Sequence, residues 1–187
     1  MVGHYKYFIG ANAIFVEIMK VIFLDIDGVL ATTKQFFTNR TNFREKNIEA
    51  KELNLPYPWD KECVDIFNEI LEATNAVIVL SSDWKHHWNL EEIDKVFKWN
   101  GVIKSPIAYT PNDSVSFGNL TMNRAWEIEK YIREVGVDNY IVIDDLWVNK
   151  YMKSNGSEHR AFITRESEGL KQTGLKDKII KKLNHDY

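Results

Sequence analysis

Six residues of this chain have the types and order to do chemistry together: Asp25, Asp27, Ser81, Arg124, Asp144 and Asp145. Asp25 and Asp27 interrupt the run Val21 to Leu30, an apolar stretch that stops on two carboxylates and Gly28. Ser81 and Ser82 close a second apolar run, Ala76 to Leu80, and Asp144-Asp145 close a third, Tyr140 to Ile143. Each signal has an ordinary explanation by itself. An Asp-x-Asp-Gly makes Asx turns after a strand, an Asp-Asp pair caps a helix, and a helix-surface arginine forms a salt bridge. Taken in order they describe one centre. Carboxylates brought close repel and cannot all ionise unless a cation stands between them, and oxygen-only ligands suit a hard ion such as Mg²⁺, held by a few carboxylates, waters and a phosphate. Ser81 and Arg124 would then hold phosphoryl oxygens.

The elements that must position these residues follow from periodicity. Val21 to Leu24 carry no polar residue on alternate positions, as a strand covered on both faces requires. Ligands of open parallel sheets sit just beyond the carboxyl ends of such strands, and this is where Asp25, Ser81 and Asp144 fall. Val64, Phe67, Ile70 and Leu71 predict a helix capped by Asp60 and ended at Asn75. Leu90, Ile93, Val96 and Phe97 predict the next, and Val102 to Tyr109 a weaker strand. After a loop from Thr110 to Met122, a helix carries Ala125, Ile128, Tyr131, Ile132 and Val135 on one face and ends at Gly136. Arg160 to Thr164 read as a last strand and Leu175 to Leu183 as a closing helix. Strands alternating with helices imply an α/β fold, a doubly wound parallel sheet.

Residues 19–187 are expected to form one domain with a full core, since 187 residues at 44% hydrophobic content suffice for it. Residues 1–18 read as an extension, an arm or an edge strand. The polar stretch at about 31–58 reads as a flap or minimal cap, with Arg40, Arg44 and Lys46 available to an anion. It is too short for a large cap domain. With a net charge of -3 a broad basic surface for duplex DNA is not expected, although local basic patches are compatible with it. No apolar run of about 18 residues is long enough for a membrane span. The single cysteine, Cys63, fits a reducing, cytoplasmic compartment.

The ordered motifs Leu-Asp-Ile-Asp-Gly-Val-Leu, Val-Leu-Ser-Ser, Arg124 and Val-Ile-Asp-Asp resemble those of the haloacid dehalogenase-like (HAD) phosphohydrolase superfamily, across residues 21 to about 170. A closer resemblance, carried by Ile78 to Lys85, Arg124 to Ile128 and Thr164 to Leu170, is to the small HAD phosphatase domains of RNA-repair proteins, and more distantly to polynucleotide 3′-phosphatases. The resemblance implies that Asp25 is the nucleophile of an aspartyl-phosphate mechanism and Asp27 the acid that protonates the leaving group and then activates water. It implies phosphate binding by Ser81, Ser82, Lys85 and Arg124, with Lys130 competing for the role of Arg124. It also implies a Mg²⁺ site from Asp25, Asp144, Asp145 and the backbone carbonyl of Asp27.

The expected function is a Mg²⁺-dependent phosphatase of nucleic-acid repair, acting on terminal phosphates of single-stranded RNA or DNA. Trp84 and Trp147, each next to a motif, are candidates to stack unpaired bases; core packing is the competing role for each. A phosphatase of nucleotides or sugar phosphates, a phosphotransferase or phosphonate- or halide-cleaving relative, and a non-catalytic module on the same fold are the alternatives. No Gly-x-x-x-x-Gly-Lys segment supports a kinase.

Overall fold

The computed structural model of the chain describes residues 4–9, 12–17, 19–34, 48–55, 57–112, 118–153 and 156–185, the first two of these segments and residues 48–49 by their backbone. Its centre is a five-stranded, all-parallel sheet in the order β7-β6-β3-β4-β5 turned about β3, with β3 Lys20–Leu24, β4 Val77–Leu80, β5 Pro106–Tyr109, β6 Asn139–Asp144 and β7 Ala161–Ile163. Among the described residues the helices that accompany it include α1 Ile48–Glu52, α2 Lys61–Thr74, α3 Leu90–Trp99, α4 Leu120–Val135 and α5 Leu175–His185. The domain is the doubly wound α/β fold expected from the alternation of elements.

The purely apolar sequence of β3 follows from its position between β4 and β6, with both faces covered. Ile22 and Leu24 face a core filled by Phe67 and Ile70 of α2, Phe97 of α3 and Ile179 and Leu183 of α5. Val21 and Phe23 face a smaller core with Ala125 and Ile128 of α4 and Val142 of β6. Helices thus lie on both faces, and no residue of Val21 to Leu24 retains solvent exposure.

The helix ends bear out the capping signals. Asp60 caps α2, Asn75 ends it in the left-handed region at φ 55°, and Gly136 ends α4 at φ 76°. Three boundaries differ from the sequence reading. The weak strand shrinks to Pro106–Tyr109, because Val102 instead closes the turn after α3 by bonding to the Phe97 carbonyl. α4 starts within the expected loop, where the Asn119 side chain accepts from the Met122 amide. The last part of the stretch at about 31–58 is not irregular: it holds α1, and Ala50, Leu55 and Trp59 join the core. Arg40, Arg44 and Lys46 lie outside the described residues.

The described residues of the 1–18 extension do not supply an edge strand to the parallel sheet. β1 His4–Ile9 and β2 Asn12–Glu17 pair with each other as an antiparallel hairpin, in a register from His4 opposite Glu17 to Ile9 opposite Asn12, and form a separate two-stranded sheet. Among the described residues no second folded domain is inserted into the parallel sheet, and no helix is long and apolar enough to cross a membrane.

Gly169 locks the last third of the chain against the turn after β3. Its φ is +56°, and a Cβ there would stand 2.3 Å from the Val29 carbonyl oxygen and 2.9 Å from the Cys63 sulfur. Neither the backbone conformation nor the space admits a side chain. We expect Gly169→Ala to cost about 2 kcal/mol or more, read as a lowered urea midpoint with unchanged slope; a midpoint equal to wild type would contradict this packing.

Candidate active site

Strand register builds the site. Leu24 pairs with Leu80 on one side and Ile143 on the other, and the ladder runs one residue further. The Asp25 amide donates to the Ile143 carbonyl at 2.9 Å, and the Ser81 amide to the Leu24 carbonyl at 2.8 Å. Asp25, Ser81 and Asp144 therefore stand side by side at the carboxyl edge, at the spacing of adjacent strands. The chain then turns sharply. The Ile26 carbonyl accepts from Leu30 and Ala31, both at 2.9 Å, and Gly28 returns a bond to the Ala31 carbonyl. Gly28 has φ +72°, and a Cβ on it would lie 2.5 Å from an oxygen of Asp145. Only glycine lets this turn close over the acids.

Asp25, Asp144 and Asp145 each offer a carboxylate oxygen within 4.8 Å of the others. Asp144 is completely buried and Asp25 nearly so. Burial first, and the neighbouring Asp25 charge second, push the Asp144 carboxyl well above the usual range and raise Asp145 to about 6. The counter-charge comes from the buried Arg124. One of its terminal nitrogens lies 3.0 Å from Asp144 and 3.2 Å from Asp25, and the other 3.1 Å from Asp83. Burial alone would lower the pKa of Arg124, but Asp25, Asp144 and Asp83 outweigh it and fix the guanidinium in its charged form. Between the two candidates for the basic position, Arg124 reaches the acids, whereas Lys130 lies over the Trp126 ring and 3.8 Å from Glu134.

Ser81 is fully buried and its hydroxyl has no hydrogen-bond partner. A buried orphan hydroxyl is costly unless a ligand satisfies it. Ser82 is differently employed, its hydroxyl accepting from the Trp84 amide at the start of the turn after β4.

Asp27 stands apart from the three-acid cluster. Its side chain is exposed at the mouth, where one oxygen accepts from the Tyr57 hydroxyl and the other from the Trp84 indole nitrogen at 2.9 Å. The protein packed around the carboxylate raises its pKa, and these two hydrogen bonds oppose but do not cancel the rise.

Two expectations need correction. Lys85 is not presented to an anion: its ammonium is buried against Glu127 at 2.5 Å, with Thr110 Oγ1 at 3.1 Å and the Pro111 carbonyl at 3.2 Å, which satisfies its three donors. Trp84 is not presented to a base. It is 4% exposed, stacked on Trp88 with centroids 4.7 Å apart and met edge-on by Trp59 at 5.7 Å. Trp147, by contrast, is 58% exposed, with the Lys150 ammonium 4.5 Å above its ring. It borders a groove of about 670 Å³ that it shares with Asp145, Thr164, Arg165 and Gln172. Sequence reasoning missed Tyr57, Asp83 and Glu127. Of these only Asp83, directly after the Ser-Ser pair, carried a positional signal.

Residues 21–175 match the model of a family described as the HAD domain in Swiss Army Knife RNA repair proteins. The chain belongs to this family. Comparison with curated proteins and with solved structures finds no match. Membership places the Asp-lined edge of this HAD domain in a family for which phosphatase activity is the coarse expectation, and the acid cluster is a candidate metal site within it.

Because Asp144 and Asp145 are raised, protons favour the folded state of the metal-free protein. That contribution is full below the unfolded carboxyl value and is lost as pH rises through about 6 for Asp145. A divalent cation competes for the same oxygens. Added MgCl₂ should therefore raise Tm clearly at pH 7.5 and much less at pH 5; an equal shift at both values would place cation binding elsewhere.

Proposed function

We propose that this HAD domain is a Mg²⁺-dependent phosphatase that works through an aspartyl-phosphate on Asp25 and removes terminal phosphates from single-stranded nucleic acid. The observation that carries the reading is the orphan Ser81 hydroxyl, buried beside Asp25 on the neighbouring strand end, with Arg124 bonded to Asp25. A phosphoryl group is the ligand that satisfies a hydroxyl donor and a guanidinium while presenting phosphorus to a carboxylate.

In the first step an Asp25 oxygen attacks phosphorus, the bond to the leaving oxygen breaks, and Asp27 gives that oxygen its proton. In the second, Asp27 takes a proton from water as the water oxygen attacks the phosphorus on Asp25, and phosphate leaves. The raised pKa of Asp27 suits a group that must carry a proton in one step and lack it in the next. Ser81 and Arg124 hold the phosphoryl oxygens. The donor set fits a hard cation, since the three clustered side chains offer oxygen only. Asp25, Asp144 and Asp145 would hold Mg²⁺, and the Asp27 carbonyl is the further ligand that the family resemblance implies. When bound, the ion supplies positive charge to the phosphoryl oxygens.

The nucleic-acid reading rests on the RNA-repair family and on the groove beside Asp145, where the exposed Trp147 indole and the Lys150 ammonium offer a stacking surface and a cation.

Asp25→Asn should lower phosphatase kcat by about 10⁴-fold or more in a protein that keeps its fold by circular dichroism; retained turnover would move the nucleophile elsewhere. Trp147→Ala should reduce kcat/KM for a phosphorylated single-stranded oligonucleotide about tenfold, the value of one stacked base, and leave p-nitrophenyl phosphate unaffected. Equal effects on both, or no preference of the wild type for the oligonucleotide, would point to a small-molecule phosphatase.

A further inference from the structure

Asp27 sits on a tight turn beyond the last ladder bond of β3, exposed at the mouth of the site. Nothing in the sheet fixes its side chain. Two donors from distant parts of the chain do so instead, one on each carboxylate oxygen. Trp84 comes from the turn after β4 and donates from its indole nitrogen to Oδ2 at 2.9 Å, while Tyr57 comes from the segment between α1 and α2 and donates from its hydroxyl to Oδ1.

The two donors differ in how firmly they are held. The indole is enclosed by Trp88 stacked on it and Trp59 against its edge, so its nitrogen has one available direction. The Tyr57 ring is half-buried and rests edge-on against Trp84, with centroids 6.2 Å apart. Trp84 alone would leave the carboxylate free to swing about one hydrogen bond. The second bond, from a different element, removes that freedom.

We propose that Tyr57 is a positioning residue for Asp27, holding its carboxyl group against the fixed Trp84 indole so that it faces the leaving oxygen of the substrate. The proposal rests on the aspartyl-phosphate reading, in which Asp27 delivers a proton to that oxygen. Proton delivery requires hydrogen-bond reach, and a displacement of about 1 Å can cost about 100-fold in rate. The need for the proton depends on the leaving group. An alkoxide departs only when protonated, whereas p-nitrophenolate departs without help. Tyr57 therefore matters for esters of ordinary alcohols, the class to which sugar hydroxyls belong, and little for activated aryl esters. A tyrosine that only steadied the fold would affect both alike.

Tyr57→Phe keeps the ring against Trp84 and removes the one hydroxyl. Its kcat/KM is compared with wild type on benzyl phosphate and p-nitrophenyl phosphate, similar in size but different in leaving-group basicity. This ratio reports the steps through departure of the leaving group, so later hydrolysis of the phospho-enzyme does not enter it. We expect a loss of about tenfold or more on benzyl phosphate, within the about 100-fold that a displacement of about 1 Å of the acid can cost, and a change within about twofold on p-nitrophenyl phosphate. Parallel losses on the two esters, or no loss on either, would overturn the role of Tyr57 while leaving the phosphatase reading intact. A wild-type protein that hydrolyses neither ester would overturn the phosphatase reading, and this proposal with it.

Discussion

The site depends on crowding negative charge at one edge of the sheet and keeping it there. Asp25, Asp144 and Asp145 meet within 4.8 Å where burial denies them water, an arrangement that would open or take up protons without compensation. Arg124 supplies part of the compensation. It is buried, bonded to Asp25 and Asp144 within the site and tied outward to Asp83. One guanidinium does not balance the acids around it, which is why burial and neighbouring charge still raise Asp144 and Asp145. The residual negative charge is what a cation at this edge would neutralise.

Holding such a cluster requires a scaffold that cannot relax. The parallel ladder fixes Asp25 between Ser81 and Asp144 through backbone bonds rather than side-chain packing. Gly28 lets the following turn lie against Asp145, and the Thr164 hydroxyl, beyond β7, donates to the Gly28 carbonyl at 2.8 Å. The buried Lys85–Glu127 pair ties the turn after β4, which follows Ser81, to α4, the helix carrying Arg124. Lys85 acts here as a strut, its pKa lowered by burial although Glu127 opposes the change.

Much of this was legible in the sequence because it follows from local rules. A strand buried on both faces reads as an unbroken apolar run, so β3, β4 and β6 and the acids and serines at their ends stand out. Asp60, Asn75 and Gly136 punctuate helices by capping chemistry that acts within a few residues. The features that were not legible depend on contacts across the fold. Tyr57 lies 30 positions from Asp27 in a polar stretch with no periodicity, and its role exists only once α1 and the turn after β3 are packed. Trp84 and Lys85 sit in a single short helical turn whose facing is set by Trp59, Trp88 and Glu127. Beside a serine at a strand end both read as ligands, and the fold turns both inward. Residues 1–18 had strand character, but strand character alone does not say whether a segment joins an existing sheet or pairs with itself.

The central claim is that Asp25 carries the phosphoryl group during turnover. Borohydride reduces an acyl phosphate to an alcohol and leaves free carboxylates untouched, so rapid quenching of the protein with substrate and Mg²⁺ into borohydride, followed by peptide mapping, tests it directly. The account predicts conversion of aspartate to homoserine at position 25 alone, dependent on substrate and absent in Asp25→Asn. Reduction at another residue, or turnover with position 25 unmodified, would contradict it.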